Sequence, residues 1–319
     1  MSSNKPRIAL FCGGVGGARM AAGFAALMPP EDLAILVNVG DDFRFCGLAI
    51  SPDLDTVMYT LAGLNDEQRG WGLRDETWTA SQRTAELGGP AWFQLGDHDI
   101  GTHFTRTALL EEGRTLSEVT RHLCDALKLR AALSPVTDAP LRTQVRTPQG
   151  LLDFQDYFVR HRAVPEASEI LYQGAGEAPL SAAARAALDD PALSAIVFAP
   201  SNPVLSLEPM LAVQGMRSAM AGAKARGVPV IAVSPILGGE AVKGPAAKLL
   251  RELGHEVSAW GVAKYYEGLV SHFVIDTRDA ALTERIRGLG MQVVCTDILM
   301  PRLPEQQRLA AELLVVVGT

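Results

Sequence analysis

Four carboxylates lie close together in one short segment of the sequence, at Asp41, Asp42, Asp53 and Asp55. The segment follows an apolar run and contains glycines, as a loop after a buried strand does. Acidic groups in such a position repel one another unless a cation or a hydroxyl donor lies between them. Proteins bind Mg²⁺ through one or two carboxylates together with substrate phosphates. The segment therefore predicts metal-assisted chemistry on a phosphorylated substrate.

A structural role would account for only one of these carboxylates. Asp53 could cap a helix that begins near Leu54, with Pro52 shaping the turn. Capping does not explain four acidic residues, two of which, Asp41 and Asp42, follow a predicted strand. Open α/β sheets bind their ligands at that edge. The pattern therefore favours a functional site.

A glycine-rich turn stands between the first predicted strand and the first predicted helix, with glycines at Gly13, Gly14, Gly16 and Gly17. Glycines let the backbone approach a phosphate, and the helix N-terminus offers free N–H groups and the positive end of its dipole. The turn lacks the Lys-Ser/Thr of a Walker loop and does not match GxGxxG. We interpret it as a phosphate site, with a tight turn and close helix packing as the alternative.

Polar residues also follow two later predicted strands. Ser201 and Asn202 stand between two prolines, where they could bind a base, ribose or phosphate, or form an ordinary Asx turn. Gly238, Gly239 and Lys243 form a second candidate phosphate site. Two such sites indicate a ligand with a diphosphate, or two ligands that meet at the sheet edge.

A further polar cluster occupies residues 95–103, with the sequence LGDHDIGTH. His103 and Arg106 fall on one face of a predicted helix at spacing i, i+3, and Asp97 and Asp99 could cap that helix. The Asp/His mixture could bind a transition metal, although its spacing matches no standard site. A substrate-binding loop and a solvated helix start are both compatible with this spacing.

The apolar runs and the glycine and proline breaks predict an α/β fold. Strands at residues 7–12 and 33–39 flank a helix at 18–27, and this opening implies a parallel sheet with helices on its faces. Residues 56–135 are predicted to be mainly helical, and a hairpin is predicted at 143–162. Further strands are predicted at residues 193–198, 228–233, 269–275 and 291–295. We predict one α/β unit over residues 1–319, with a smaller helical and hairpin subregion at about 60–165.

The bulk composition limits the classes of partner. The chain has 319 residues, of which 48% are hydrophobic, and a net charge of −7, which argues against a nucleic-acid-binding surface. It shows no signal-peptide pattern and no apolar run of about 20 residues. Its cysteines form no zinc or disulfide pattern. We expect a cytoplasmic protein that binds neither nucleic acid nor membrane.

Eight motifs occur in an order that resembles one known family. They are GGVGGAR (13–19), VNVGDD (37–42), SPDLDTVMYTL (51–61), RGWGLRDETW (69–78), LGDHDIGTH (95–103), DFQDYFVR (153–160), APSNPVLSLEPML (199–211) and SPILGGEAVKGPAAKL (234–249). The family is that of the 2-phospho-L-lactate transferases of coenzyme F420 biosynthesis, called CofD, or FbiA in actinobacteria. The resemblance runs from about residue 7 to at least residue 275.

The resemblance implies a Rossmann-like three-layer parallel sheet with a smaller, mainly helical inserted region. It also implies a reaction. A phosphorylated three-carbon acid, 2-phospholactate or phosphoenolpyruvate, moves from a guanosine diphosphate-linked donor to the ribityl hydroxyl of the deazaflavin Fo, and GMP leaves. A 3-phosphoglycerate-derived donor is an alternative. The family requires Mg²⁺ and usually forms homodimers.

The resemblance also suggests roles for the acidic residues. Asp55, in the DLDT motif, matches a position where the family holds the deazaflavin, and Gln94 matches another, where members with Lys differ from this chain. We assign catalysis to Asp55 and Asp42, and the metal to Asp42, Asp53 and Asp55. Asp55 is also the predicted acceptor of the hydroxyl proton.

The remaining site residues divide between the two substrates. Trp71 and Trp78 could stack on the deazaflavin ring, with core packing as the alternative, and His103 joins the substrate site. The guanylyl diphosphate is expected to contact Gly13, Gly14, Gly16, Gly17, Ser201, Asn202, Gly238, Gly239 and Lys243.

A different class of protein shares part of this pattern. Non-catalytic nucleotide-sugar-binding regulators of the gluconeogenesis-factor type have a glycine-rich opening and an Asp-Asp strand end. They continue with a Gly/Ser-rich run where this chain has Phe43-Arg44-Phe45, and they lack the stretch at residues 69–78. A nicotinamide oxidoreductase is disfavoured by the glycine spacing.

Overall fold

A parallel sheet forms the centre of the computed structural model, which describes residues 6–241 and 245–318. The strands in chain order are β1 (Arg7–Cys12), β2 (Leu33–Val37), β3 (Phe43–Phe45), β4 (Leu48–Ile50), β5 (Ala132–Pro135), β6 (Arg142–Thr147), β7 (Gly150–Asp153), β8 (Glu169–Gln173), β9 (Leu193–Phe198), β10 (Val230–Val233), β11 (Ile236–Leu237), β12 (Glu240–Ala241), β13 (His272–Asp276) and β14 (Gln292–Thr296). The central sheet has seven strands in the order β14-β13-β10-β9-β1-β2-β5, all parallel.

Helices connect these strands and cover the sheet. They are α1 (Gly14–Leu27), α2 (Pro52–Leu61), α3 (Thr79–Glu86), α4 (Asp97–Glu111), α5 (Leu116–Ala126), α6 (Ala182–Asp189), α7 (Glu208–Ala212), α8 (Met216–Ala225), α9 (Ala246–Glu252), α10 (Ala259–Tyr265), α11 (Thr283–Arg287) and α12 (Leu303–Gly318). The result is the predicted Rossmann-like three-layer α/β fold. Within the described residues, no helix is both long and apolar enough to span a membrane.

The strand order places the ligand-binding edge. The chain winds outward from β1 through β2 to β5, and then returns to the other side of β1 with β9. The two loops that leave β1 and β9 at their carboxyl ends therefore diverge, which opens a crevice at a topological switch point. Central strands are buried on both faces, since parallel sheets are covered by helices on both sides; residues 230–233 of β10 are all buried.

Smaller sheets flank this edge. Strands β6, β7 and β8 form an antiparallel sheet in the order β7-β6-β8, which confirms the predicted hairpin and adds a third strand. Two further hairpins pair β3 with β4 and β11 with β12. The division at about residues 60–165 stays a prediction.

The observed elements differ from the predicted ones mainly at their ends. Helix α1 begins at Gly14 rather than at residue 18, because the glycine turn forms its first turn. The backbone N–H of Val228 donates to the Ala223 carbonyl at the end of α8, and that of Val270 donates to the Tyr266 carbonyl after α10. Strands β10 and β13 therefore begin at Val230 and His272, later than the predicted starts at residues 228 and 269. Apolar residues that end a helix look the same in the sequence as apolar residues that begin a strand.

Helices α1 and α12 are in close contact at Gly23. A Cβ atom at this position would collide with the backbone carbonyl of Gln306. We expect Gly23→Ala to lower the free energy of unfolding by about 1 to 3 kcal/mol, the usual cost of overpacking. Gly222→Ala in α8 is the matched control, because its nearest atom would be 3.9 Å away. There the added methyl is expected to stabilise the helix by about 0.5 to 1 kcal/mol. Chemical denaturation of both variants checks the difference, and equal losses would contradict the close approach.

Candidate active site

The turn after β1 is bonded to the loops after β2 and β9. The backbone N–H of Gly14 donates to Asp53 Oδ1 at 2.6 Å, and that of Gly13 donates to Ser201 Oγ at 3.1 Å. The Ser201 hydroxyl in turn donates to the Gly13 carbonyl at 2.8 Å. A Cβ atom at Gly16 would lie 2.5 Å from the Pro200 carbonyl oxygen. The tight turn with close helix packing is therefore confirmed at Gly16, and phosphate binding by this turn stays a prediction.

Gly17 shows the same close packing, since a Cβ atom there would lie 2.8 Å from Ser201 Oγ. Neither glycine can therefore be replaced without moving the loop after β9. This packing fixes the distance between the carboxyl ends of β1 and β9 at the switch point.

Asn38, at the end of β2, holds two of the acidic residues. Its fully buried side-chain amide donates to Asp53 Oδ2 at 3.0 Å and to the Leu205 carbonyl at 3.3 Å, and it lies 3.5 Å from Asp41 Oδ1. The Asn38 Oδ1 atom accepts from the Gly40 N–H at 2.8 Å. The amide therefore connects Asp53 and Asp41 to the backbone at Gly40 and Leu205.

Asp53 does not cap the helix in which it lies. Helix α2 begins at Pro52 with Ser51 at the N-cap position, so that the carboxylate of Asp53 points to Gly14 and Asn38 instead. The capping alternative is therefore wrong for this residue. Two neutral donors stabilise the buried carboxylate, and no cationic side chain among residues 6–241 and 245–318 pairs with it.

Three of the four carboxylates share an unfavourable environment. Burial raises the pKa of Asp53 to about 6 and that of Asp42 to about 7. The pKa of Asp41 is also well above its usual range, through burial and the charges of Asp53 and Asp42. Among the described residues, no basic side chain forms an ion pair with these three. Buried carboxylates of this kind are stabilised by a bound cation.

The fourth carboxylate, Asp55, is already paired. The buried Arg106 guanidinium donates to both Asp55 oxygens, at 3.0 Å from Nη1 and through a second bond from Nη2. The Arg106 Nη1 atom also lies 3.1 Å from His103 Nδ1. The predicted common face of His103 and Arg106 is therefore confirmed, and it faces Asp55 on helix α2.

A second acid completes this buried group. The Tyr59 hydroxyl donates to Asp99 Oδ1 at 2.6 Å, and His103 Nε2 lies 3.3 Å from Asp99 Oδ2. Burial alone would raise the pKa of Asp99, but the contacts with His103 and Tyr59 and the Arg106 charge hold it below its usual range. Oxygen and nitrogen atoms of Asp55, Asp99 and His103 lie within 4.8 Å of one another, as metal ligands would. The Arg106 guanidinium supplies the positive charge that such a metal would bring.

The start of α4 is capped from outside the helix. Glu76 accepts from the backbone N–H groups of His98 and Asp99 at 2.9 and 2.8 Å. Asp97 instead accepts from the Thr79 N–H at 3.0 Å, at the start of α3. The expectation that Asp97 and Asp99 cap α4 is therefore wrong. Glu76 therefore caps α4, and Asp97 of α4 caps α3. These two contacts hold the segment before α3 against α4, which carries His103 and Arg106.

A cavity of about 350 Å³ opens beside the acidic residues. Its walls are formed by Gly40, Asp41, Asp42, Phe43, Arg44, Trp92, Arg142, Thr143, Asp153, Phe154, Gln155 and Asp156. Two buried polar atoms in these walls lack a hydrogen-bond partner, Asp42 Oδ1 and Thr143 Oγ1. Because buried polar atoms are nearly always satisfied, such a pair indicates a ligand position. Aromatic rings and convergent polar groups together are typical of small-molecule sites.

The predicted aromatic residues lie outside the hydrophobic core. Trp71 is 42% exposed, and its ring centroid lies 5.9 Å from that of the half-buried Trp78. The Arg69 guanidinium lies 5.4 Å and 4.8 Å from the two rings. Core packing is therefore wrong for both residues, and stacking on a ligand stays a prediction. Gln94 is exposed, beside the aromatic pair Trp92 and Phe93.

The remaining predicted residues have structural contacts of their own. Asn202 Oδ1 accepts from the N–H groups of Val204 and Leu205, so the Asx turn is confirmed. Gly238 and Gly239 form the turn between β11 and β12, where positive φ angles of 58° and 83° require glycine. The Gly238 N–H donates to a carboxylate, Asp279 Oδ2, at 3.1 Å. Phosphate binding at these positions stays a prediction.

Lys243 lies outside the described residues. Its predicted contact with the guanylyl diphosphate therefore stays a prediction as well.

Several residues of the site were not singled out from the sequence. Asn38 and Thr143 belong to this group, as do Trp92, Phe154 and Arg142 of the cavity wall. The sequence signal for Asn38 is its position in VNVGDD, two residues before a glycine at a strand end. The sequence carries no such signal for the cavity wall. Its residues come mainly from the β3-β4 hairpin and from the β6-β7 hairpin, which are far apart in the chain.

Comparisons with known proteins agree with this architecture. The family model described as 2-phospho-L-lactate transferase CofD matches residues 8–312. The phosphoenolpyruvate transferase of Streptomyces coelicolor is 40% identical over 97% of this chain and 98% of its own. The 2-phospho-L-lactate transferase of Methanosarcina mazei is 35% identical over 94% of this chain and 97% of its own. The structure of protein BH3568 from Bacillus halodurans, a UPF0052 family member, superimposes with a TM-score of 0.60 at 12% identity over 99% and 100% of the two chains.

The fold and the site define a doubly wound α/β protein whose buried carboxylates and glycine turn meet at the ligand-binding edge of the sheet. Within that class, the chain belongs to the 2-phospho-L-lactate transferase CofD family. It is therefore an enzyme of the transferase class, and its family connects it with coenzyme F420 biosynthesis. The resemblance noted from the motifs is confirmed.

The Asp55–Arg106 pair makes a prediction about stability. We expect Arg106→Met to lower the free energy of unfolding by about 3 to 5 kcal/mol, because it leaves the Asp55 carboxylate buried and unpaired. The double variant Asp55→Asn with Arg106→Met is expected to lose less than the two single variants combined. Urea denaturation measures this coupling, and strictly additive losses would show that the two side chains act independently.

Proposed function

We propose that this transferase moves a phosphorylated three-carbon acid from a guanosine diphosphate-linked donor to the ribityl hydroxyl of the deazaflavin Fo, with release of GMP. The observation that carries the proposal is the group of buried carboxylates at the ligand-binding edge of the sheet, Asp41, Asp42 and Asp53, which form no ion pair with any described residue. Phosphoryl transfer depends on charge neutralisation and alignment rather than on a protein nucleophile. The family membership supports the same reaction.

The chain's own residues fit a divalent cation. Asp53 and Asp41 converge on one amide, that of Asn38, and both have raised pKa values because they are buried without positive charge. We assign the metal to these two carboxylates. Hard oxygen ligands of this kind select Mg²⁺, and a bound Mg²⁺ would neutralise charge on the diphosphate. The earlier assignment of Asp42 and Asp55 to the metal stays untested.

Asp42 is the better candidate to accept the hydroxyl proton. Its Oδ2 atom is held by the Ser51 hydroxyl at 2.8 Å, while its Oδ1 atom is buried without a partner beside the cavity. A pKa of about 7 suits a general base at neutral pH. The Asp42 carboxylate would take the proton as the acceptor oxygen bonds to phosphorus and the bond to GMP breaks. Both Asp55 oxygens already accept hydrogen bonds from Arg106, which makes Asp55 the weaker candidate for this proton. The contact between Asp55 and the acceptor that the resemblance implies stays a prediction.

The cavity beside Asp42 has the size and lining for the acceptor. Rings of Phe43, Trp92 and Phe154 stand in its walls, and flat aromatic ligands pack well against such rings. The donor nucleotide is assigned to the crevice between β1 and β9, where the N-terminus of α1 favours phosphate.

The pKa values generate a prediction about metal and pH. In the unfolded chain, Asp42 and Asp53 both have pKa values near 3.8. In the folded protein, the pKa is about 7 for Asp42 and about 6 for Asp53. The folded state therefore keeps protons that the unfolded state loses. The free energy of unfolding of the metal-free protein is expected to fall as pH rises from about 4 to about 7 on account of these groups. Because a metal must displace those protons, Mg²⁺ is expected to raise Tm more at pH 8 than at pH 6. Differential scanning fluorimetry with and without Mg²⁺ checks this.

Variants of the three acids separate their roles in the same measurement. Asp53→Asn and Asp41→Asn are expected to weaken Mg²⁺ binding by about tenfold or more, a loss of about 1.4 kcal/mol or more. Asp42→Asn is expected to keep the Mg²⁺ shift in Tm and to lose turnover. A normal Mg²⁺ shift in Asp53→Asn would refute the metal assignment.

A coupled assay tests the proposed reaction directly. The purified protein is mixed with Fo, Mg²⁺, GTP, a guanylyltransferase and, in turn, 2-phospholactate, phosphoenolpyruvate and 3-phosphoglycerate, and the product masses are measured. The 40% identity to the Streptomyces phosphoenolpyruvate transferase favours a product from phosphoenolpyruvate. No product with any of the three acids, from a folded protein, would support the nucleotide-sugar-binding regulator instead.

Two expectations about the protein's setting stay predictions. Cys12, Cys46, Cys124 and Cys295 form no disulfide, which supports a reducing, cytoplasmic location. The homodimer implied by the family resemblance is part of the proposal, as are the two small-molecule substrates as its partners.

A further inference from the structure

One cationic side chain in the cavity wall forms no ion pair with any described residue. Arg142 lies at the start of β6, and within the described residues its guanidinium forms no ion pair; its Nη1 atom donates to the neighbouring Leu141 carbonyl at 2.9 Å. The other wall arginine, Arg44, donates to the Gly47 carbonyl at 2.9 Å and lies 3.7 Å from Glu111. Among the described wall residues, Arg142 is therefore the cation without an ion-paired carboxylate, and it is available to a ligand in this cavity.

An unsatisfied hydroxyl lies next to Arg142 in the same wall. Thr143 is only 2% exposed, and its Oγ1 atom has no hydrogen-bond partner. The backbone N–H of Thr143 donates to the Gly40 carbonyl at 2.6 Å, which ties β6 to the loop that carries the acidic residues. A Cβ atom at Gly40 would lie 2.7 Å from this hydroxyl. The hydroxyl is thus held in a fixed place, where it can donate to an anionic oxygen.

Two acidic residues of the wall have partners of their own. Asp153 accepts from Gln144 Nε2 at 2.8 Å, and Asp156 lies 3.5 Å from Arg160 Nη1. The Arg142 charge also acts on the Asp42 carboxylate, although the two form no ion pair within the described residues. A guanidinium beside a buried hydroxyl, with no carboxylate in direct contact, is suited to bind a carboxylate from a ligand. Guanidinium groups bind planar carboxylates through paired hydrogen bonds.

We propose that Arg142 and Thr143 bind the carboxylate of the three-carbon acid that is transferred. The inference rests on the proposed function, in which the donor carries two kinds of anion. The diphosphate has the metal and the N-terminus of α1 as partners, whereas the carboxylate needs a cation of its own. Arg142 is a specificity-determining residue in this assignment, because it selects phospho-acids over three-carbon phosphates that lack a carboxylate.

The test compares two donors that differ at one group. One is the guanosine diphosphate-linked acid, and the other is the same molecule with the carboxylate replaced by a primary amide. Binding of each is measured by calorimetry without Fo, and transfer is then measured with Fo. Arg142→Ala is expected to weaken binding and kcat/KM for the carboxylate donor by about 100-fold, and to change the amide donor less than threefold. Arg142→Lys is expected to recover part of the loss, and Thr143→Val to lose about tenfold.

Arg146→Ala is the matched control, since Arg146 lies on the same strand and is paired with Glu169 at 2.7 Å. It is expected to leave both donors unchanged. Equal losses for the two donors, or a weaker affinity of Arg142→Ala for GDP alone, would place Arg142 at the diphosphate and overturn the inference. If the wild type binds the carboxylate donor but does not transfer it, the proposed function fails while the carboxylate preference remains measurable.

Discussion

The Asp53 carboxylate connects the elements on which the site depends. It lies in the first turn of α2, and its oxygens accept from Gly14 at the start of α1 and from Asn38 at the end of β2. Burying a carboxylate costs free energy that two neutral donors only partly offset, which is why the pKa of Asp53 is raised to about 6. The carboxylate fixes the glycine turn, and the same burial favours a cation beside it.

The buried acidic residues at this edge of the sheet form two groups that differ in their partners. Asp41, Asp42 and Asp53 have neutral donors and raised pKa values. Asp55 is bonded to Arg106, and Asp99 to Tyr59, with His103 between the two pairs. The first group has no ion-paired cation among the described residues, whereas the second contains the Arg106 guanidinium. The acidic segment is therefore divided between two different electrostatic environments.

The strand order brings these groups and the cavity to one edge. The cavity wall takes residues from the loop after β2, from the β6-β7 hairpin and from the segment before α4. Some of these segments are more than fifty residues apart in the chain. They meet because the backbone N–H of Thr143, on β6, donates to the carbonyl of Gly40, in the loop after β2. The glycine packing at Gly16 and Gly17 fixes the opposite side of the crevice.

The sequence by itself determined the α/β class, the parallel strands, the hairpin and the acidic segment, because apolar periodicity and turn residues are local signals. Eight motifs were sufficient to find the family. The tertiary structure alone decided that Asp53 bonds to Gly14 rather than capping its helix, that Arg106 neutralises Asp55, and that Glu76 caps α4 in place of Asp97 and Asp99. The physical reason is that charge pairing and burial depend on distances between residues far apart in the chain, which spacing along the sequence does not contain.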